Sequence, residues 1–543
     1  MEINLQTPIS RAIESLHGLR IEGTFYIANK SKTATGHIGF IRLAIGLILV
    51  FLITGCGSNS GSPGSLPTLV PTPIAKTSNS NPQTQSPTLT IHPTVQVKAL
   101  PTAAPTAAIA NAPTPNATVA PTVDPTPTST PAPMPTIVPV PKSRAATPDF
   151  SALTSYPAFS ETLSAAFSQA LEEEFEASTP KVGISAAVYQ NGLLWTQALG
   201  WANESTPMTP MTPATPLRVM SSSRTFVGAL VLSQIEDGLY GLDDRISTLL
   251  ADHNGYQSSD TSQIPDATVE QLLTMTAGIV DVPINAIGPY RIMTSPSWEK
   301  SDMLRLMNKP NDPPGTFKYG NDNSYLLGLI AENMADNDLN ELLQAEFLEP
   351  LSIKAALLPE IKTPSSIAAP YADQSQYGGS GGFGNLYEIP MYSKIPFNEA
   401  DSRVSWPGAS AVSTAESMAR WAYELYSVKG AAITSEVRSQ QIGSFRPETI
   451  SLAAAPQKYG FHIAQKEHLL SDGTYVTTYG HPGGGAGYAS VMFYAPSLDL
   501  AVSILANSDL GHLLGTCASY SENWLSPLDC MARRFFSAIA DQS

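Results

Sequence analysis

The chain has 543 residues, with 30 Lys and Arg against 46 Asp and Glu, a formal net charge of −16. Neutralising phosphates takes clustered cations, so this balance argues against a nucleic-acid partner. The eight histidines show no metal-ligand spacing, and neither a metal nor another cofactor is expected.

The first feature along the chain is the apolar run LAIGLILVFLITGC, Leu43 to Cys56, which follows Lys30, Lys32 and Arg42. It is short for a spanning helix and reads as an export signal. Its end, LITGC, resembles the lipobox of bacterial lipoproteins, in which cleavage before the cysteine frees that residue for lipid attachment. Residues 1–55 are then a signal peptide, and Cys56 is a lipidated N-terminus that anchors the protein to the outside of the membrane. Residues 56–148 are dominated by Pro, Thr, Ser and Ala, as in PTAAPTAAIANAPTPNATVAPT. Such a stretch offers too little apolar area to offset the entropy of folding, and its prolines favour extended conformations, so a disordered stalk is expected.

Residues 149–543 carry the periodic segments and form one expected domain. SETLSAAFSQALEEEFEAS is helical in pattern. It precedes VGISAAVYQ and LLWTQALG, two β-prone runs joined by Asn191 and Gly192, a strong hairpin signal. The middle, from about Ser221 to Leu358, is mostly helical in pattern: TFVGALVLSQIEDG, TVEQLLTM and NSYLLGLIAENMA are apolar or amphipathic. Strand patterns return in QKYGFHIAQ, GTYVTTYG, YASVMFYA and LAVSILAN, and MARRFFSAIADQS reads as a closing helix. The expected class is α+β: an antiparallel sheet built from both ends of the domain, flanked by helices, with a mostly helical region inserted. Apart from Cys56, the cysteines are Cys517 and Cys530; in an exported domain this pair reads as a disulfide, with two buried thiols as the alternative.

Four segments carry chemistry. LRVMSSSRTF, Leu217 to Phe226, sets three serines before an apolar helix, a pattern that taken alone is more often an ordinary N-cap than a nucleophile. TVEQLLTMTAGI follows at Thr268 to Ile279, then PPGTFKYGNDNSYLLGLIAE at Pro313 to Glu332 and YGHPGGGAGYASVMFYAP at Tyr479 to Pro496. In this order they resemble the serine β-lactamase and penicillin-binding-protein superfamily, in particular its class C-like, esterase-like branch. The first segment is similar to the S-x-x-K motif and selects Ser221 as nucleophile over Ser222 and Ser223. The second is similar to LLTHTSGL, with Met275 in the histidine place. In the third, Tyr319 and Asn321 fill Y-x-N, which implies a proton-exchanging tyrosine and a substrate-orienting amide. In the fourth, His481 takes the basic place of H-x-G or K-T-G. Gly483 and Gly484 follow it, the N–H of Gly484 pairing with that of Ser221 as oxyanion donors. WPGASAVSTAESMARWAYEL and AAPYAD also resemble family segments.

The resemblance implies a hydrolase that forms an acyl-enzyme on an ester, amide or β-lactam, with a small-molecule or peptide-like substrate. Arg224 departs from it, standing where the family has lysine. A guanidinium stays charged and cannot serve as general base. Two expectations follow. In one, Arg224 lowers the pKa of Tyr319 so that a phenolate takes the Ser221 proton, with His481 assisting. In the other, the cleft has lost its base and Arg224 is a carboxylate clamp or a structural ion pair in a ligand-binding relative.

Overall fold

The computed structural model describes residues 145–151, 155–279, 281–282, 287–307, 313–447, 450–452, 455–508 and 526–542. Cys56, the Pro-rich segment and Cys517 lie outside the described residues. Cys530 lies inside them, buried on the last helix.

In chain order the elements that build the site are α1 (Glu161–Ala177), β1 (Gly183–Gln190), β2 (Leu193–Asn203), β3 (Thr209–Pro210) and β4 (Leu217–Arg218). Next come α2 (Arg224–Glu236), α3 (Val269–Leu273), α4 (Asn321–Ala335), β5 (Ala355–Leu357), β6 (Tyr371–Asp373) and β7 (Phe383–Asn385). The remainder are α5 (Phe397–Ser405), β8 (Ala411–Ser413), α6 (Ala415–Tyr426), β9 (Ile450–Leu452), β10 (Ala455–Tyr459), β11 (Ala464–Leu469), β12 (Tyr475–Gly485), β13 (Tyr488–Ala495), β14 (Leu500–Ala506) and α7 (Pro527–Ala540).

The principal sheet has nine strands in the order β3-β2-β1-β14-β13-β12-β11-β10-β9. Asn191 (φ 49°) and Gly192 (φ 86°) both take the left-handed conformation that a two-residue hairpin needs, pairing Gln190 with Leu193. Beside this N-terminal hairpin lies the last strand, antiparallel, with Ile184 opposite Ala506 and Tyr189 opposite Ala501. The sheet is therefore closed across the two ends of the domain, and the helical region with the small sheet β4-β8-β5 is inserted between them. This is the expected α+β architecture.

β1, β13 and β14 are almost wholly buried because both sheet faces are covered. Ile184, Ala186 and Val188 face a core shared with Phe167 of α1 and Phe535 of α7. Ala187 and Tyr189, one residue out of step, face the other core with Trp421 of α6. The helices start where their caps dictate: Ser160 accepts from Leu163 N, Ser526 from Asp529 N, and Thr268 with Gln271 forms a reciprocal capping box on α3.

One expectation changes. QKYGFHIAQ reads as a single strand, but the chain turns inside it: Gly460 N donates to Ile463 O at 2.9 Å and His462 has φ 52°, separating β10 from β11. The turn is stabilised by contacts remote in sequence. His462 is buried, with Nδ1 3.0 Å from Leu273 O and Nε2 2.9 Å from Ser324 Oγ.

Candidate active site

The serine triplet forms one 3₁₀ turn, Met220–Ser223, leading into α2. Its three hydroxyls have different surroundings. Ser222 Oγ is buried, 2.9 Å from His481 O and 2.9 Å from Ser490 Oγ. Ser223 Oγ, also buried, donates to Met220 O at 2.6 Å and accepts from Ala411 N at 3.0 Å. Ser221 is partly exposed, and its side chain acts on Tyr319, drawing the phenol pKa down against the effect of burial. Met220, directly before it, holds φ 47°, an uncommon conformation for a non-glycine residue. The turn is tied to β8 by Val219 N donating to Ala411 O at 2.9 Å.

Strand β12 lies against this turn. A Cβ on Gly483 would come 2.6 Å from Val219 O and 2.9 Å from Ser221 N, so only glycine permits the approach. The glycine lets the strand pack on the serine turn. Gly484 follows, partly exposed and paired with Ala489.

Tyr319 and Asn321 arrive together at the start of α4. Asp281 accepts from Asn321 N at 2.7 Å and Asp322 N at 3.0 Å, satisfying two N–H groups that a helix leaves free. Arg224 lies beneath, fully buried. Its Nη2 donates to Asn321 Oδ1 at 2.6 Å, its Nη1 to Gly408 O at 3.1 Å, and its guanidinium stands 4.5 Å from the Tyr319 ring centroid. Among the described residues no carboxylate lies within ion-pair distance of it.

His481 is buried as well, its ring 6.0 Å from that of Tyr319. Its Nε2 is 3.1 Å from Tyr459 Oη and its Nδ1 2.5 Å from Pro482 O. Tyr459 meets Tyr319 edge-on at 5.9 Å. Met275, in the family's histidine place, packs in one cluster with Tyr459, Tyr319 and Phe317, and its carbonyl accepts from Lys318 N at 2.7 Å.

The site thus sorts into partly exposed groups, Ser221, Tyr319, Asn321 and Gly484, and buried groups beneath them, Arg224, His481 and Tyr459. Electrostatics follow from that layering. Burial lowers the His481 pKa well below the usual imidazole value, with Arg224 and His462 adding to it against the Pro482 carbonyl. Burial and Arg224 likewise push His462 down to about 3. Tyr319 corrects an expectation: Arg224 and the Ser221 side chain do pull its pKa down, but burial outweighs them and Asp281 opposes them, so the net shift is upward. A resting phenolate is disfavoured. The carboxylate-clamp expectation meets a similar objection, since Arg224 has no exposed surface and both terminal nitrogens are engaged within the protein.

Sequence reading missed Asp281, Tyr459 and the Ser324–His462 contact. Each acts through a partner distant along the chain, and none has a local spacing that would announce it.

Comparisons with known proteins agree with this fold. D-amino acid amidase from Ochrobactrum anthropi SV3 superposes with a TM-score of 0.56 in complex with D-phenylalanine and 0.55 with L-phenylalanine amide. In both the alignment covers 70% of this chain and 99% of the amidase, at 18% identity. That likeness is one of fold. Protein flp of Staphylococcus aureus (strain MW2) is 24% identical over 209 residues, which span 37% of this chain and 37% of that relative's length. The Beta-lactamase family model matches residues 169–515, more than half of the chain and every motif segment, and the chain therefore belongs to the Beta-lactamase family.

Proposed function

We propose that the protein is an extracytoplasmic serine hydrolase that cleaves an ester, amide or β-lactam through an acyl-enzyme on Ser221. The observation that carries this reading is the allocation of the triplet: Ser222 and Ser223 are buried in internal contacts, while Ser221 is partly exposed and its side chain acts on Tyr319. A nucleophile must be reachable and must have an acceptor for its proton.

Because burial raises the Tyr319 pKa, the phenol works as a relay and not as a preformed phenolate. As the Ser221 Oγ–carbonyl bond forms, the Ser221 proton passes to Tyr319 Oη and the Tyr319 proton passes to the departing amine or alkoxide. The carbonyl–leaving-group bond then breaks, and no net charge is left on the tyrosine. Water completes the cycle in reverse, yielding the free acid and Ser221 O–H. The N–H groups of Ser221 and Gly484 stabilise the oxyanion, and Asn321, oriented by Arg224, holds the substrate carbonyl side. Arg224 supplies fixed charge and never a proton.

The direct test is mass spectrometry of the purified chain after exposure to a fluorophosphonate and to a fluorescent penicillin, with one adduct expected on the peptide bearing Ser221. No adduct from either probe would refute the acyl-enzyme. The relay also has a pH signature. A neutral Tyr319 predicts kcat/KM that is level from about pH 7 to pH 9, below the raised pKa; a phenolate base would instead give a tenfold rise per pH unit.

Arg224→Lys provides a second test. Lysine restores a titratable amine beside Ser221 and should raise turnover of activated esters. It also leaves Gly408 O or Asn321 Oδ1 without a donor, costing about 1–3 kcal/mol of stability. No gain in turnover, with the variant folded, would favour a ligand-binding relative.

The export reading places the domain outside the membrane, anchored by lipid at Cys56 through the Pro-rich stalk, with Cys517 and Cys530 as a disulfide. Cys56→Ser should release the chain from membranes; retention in the membrane fraction would refute the anchor.

A further inference from the structure

We infer that Tyr459 is a positioning residue of this site, acting through His481: its hydroxyl caps Nε2 of the Nδ1–H imidazole that Pro482 O requires, and so keeps that ring neutral and out of proton transfer. The consequence for catalysis rests on the hydrolase reading above; the tautomer itself does not.

Pro482 O can only accept, so the 2.5 Å contact requires His481 Nδ1 to carry hydrogen. Nε2 of a neutral imidazole is then an acceptor, and the group facing it at 3.1 Å is the Tyr459 hydroxyl, which donates. Tyr459 retains that proton, because burial first and the neighbouring Tyr319 raise its pKa well above the usual phenol value, against Arg224. Both imidazole nitrogens are therefore occupied. His481 has no nitrogen left for substrate, leaving group or Tyr319.

The groups around the ring explain why it must stay neutral. The Arg224 guanidinium of α2 is the cation beside it and, after burial, lowers its pKa most; His462 of the β10–β11 turn, itself neutral, adds a smaller lowering, while Tyr319 and Tyr459 present aromatic rings. Ser222 engages its carbonyl oxygen, and no carboxylate is among the groups acting on its titration. An imidazolium here would set a second cation beside Arg224. The neutral ring instead forms one wall of the box around Tyr319: Arg224 at 4.5 Å, His481 at 6.0 Å and Tyr459 edge-on at 5.9 Å. A side chain held this way keeps the relay oxygen aligned with Ser221.

Tyr459→Phe removes the hydroxyl and keeps the ring. The chain, labelled with ¹⁵N at histidine, is examined by NMR, with the His481 signals assigned by their absence in His481→Gln. Wild type should show a neutral Nδ1–H imidazole that does not titrate from pH 5 to pH 9. In Tyr459→Phe, Nε2 loses its donor while Nδ1–H stays on Pro482 O, so Nε2 is open to protonation and the ring should take up a proton within that range. The acid limb of kcat/KM should move up by about one pH unit while KM changes less than twofold, a combination that simple loosening of the fold does not produce. An Nε2–H tautomer in wild type would overturn the inference, even if the variant fails to fold. So would a variant whose imidazole signals and acid limb match wild type. If the chain hydrolyses nothing, the hydrolase reading falls, and the tautomer measurement still decides this inference.

Discussion

Ser221→Ala is expected to abolish covalent labelling and to lower turnover at least about a thousandfold, because nucleophile and proton relay act as one unit. Ser222→Ala and Ser223→Ala should still be labelled. Their hydroxyls hold the turn to His481 O, Met220 O and Ala411 N, so their loss should appear as about 1–3 kcal/mol of stability. Three neighbouring serines thus give two kinds of result, separable by labelling and by denaturant midpoint. Labelling that persists in Ser221→Ala would move the nucleophile elsewhere. A residual rate in Ser221→Ala is expected to come from the oxyanion donors and substrate positioning, which the substitution leaves in place.

The largest expected effect on stability belongs to Arg218, three residues before Ser221. Its Nη1 donates to Asp401 Oδ2 at 2.8 Å, and its Nη2 to Ala409 O at 2.8 Å and Ser405 Oγ at 3.1 Å, with both ion-pair partners buried. Arg218→Met leaves an unpaired carboxylate in the interior and should cost about 3–5 kcal/mol in chemical denaturation. Adding Asp401→Leu removes the stranded charge, and the double variant should recover much of the loss. A single variant within about 1 kcal/mol of wild type, or a double variant no better than the single, would show that the pair is not what holds this region. Activity should suffer beyond the loss of folded protein. Arg218 fixes the segment from Ser405 to Ala411, and that segment carries Gly408 O for Arg224 and the Ala411 contacts of the serine turn.

Features that depend on a few adjacent residues were readable along the chain. Asn191–Gly192 can hardly be anything but a tight hairpin, because both positions need positive φ, and helices begin at Ser160 and Thr268 where a side chain can satisfy free N–H groups; the closing helix was read from Met531 but begins at Pro527, capped by Ser526. The motif order from Ser221 through Tyr319 and Asn321 to His481 was visible in the same way. It named the wall residues of the cleft without showing how they meet. Arg224 could be excluded as a base from its chemistry alone, since a guanidinium keeps its proton wherever it is placed.

Other properties arose only when distant segments came together. Which serine is free depends on Ser490 and Ala411, hundreds of residues away. The turn that splits β10 from β11 depends on Leu273 and Ser324 receiving His462, a contact that no strand periodicity encodes. The protonation of Tyr319 was misjudged for a related reason. An adjacent cation is visible in a motif, but the removal of water that outweighs it is the joint work of α2, α4, β10 and β12. Covalent neighbours therefore determined the turns, the caps and the identity of the reactive groups. Burial, which belongs to the packed whole, decided which of those groups are exposed, which are neutral and which are in contact.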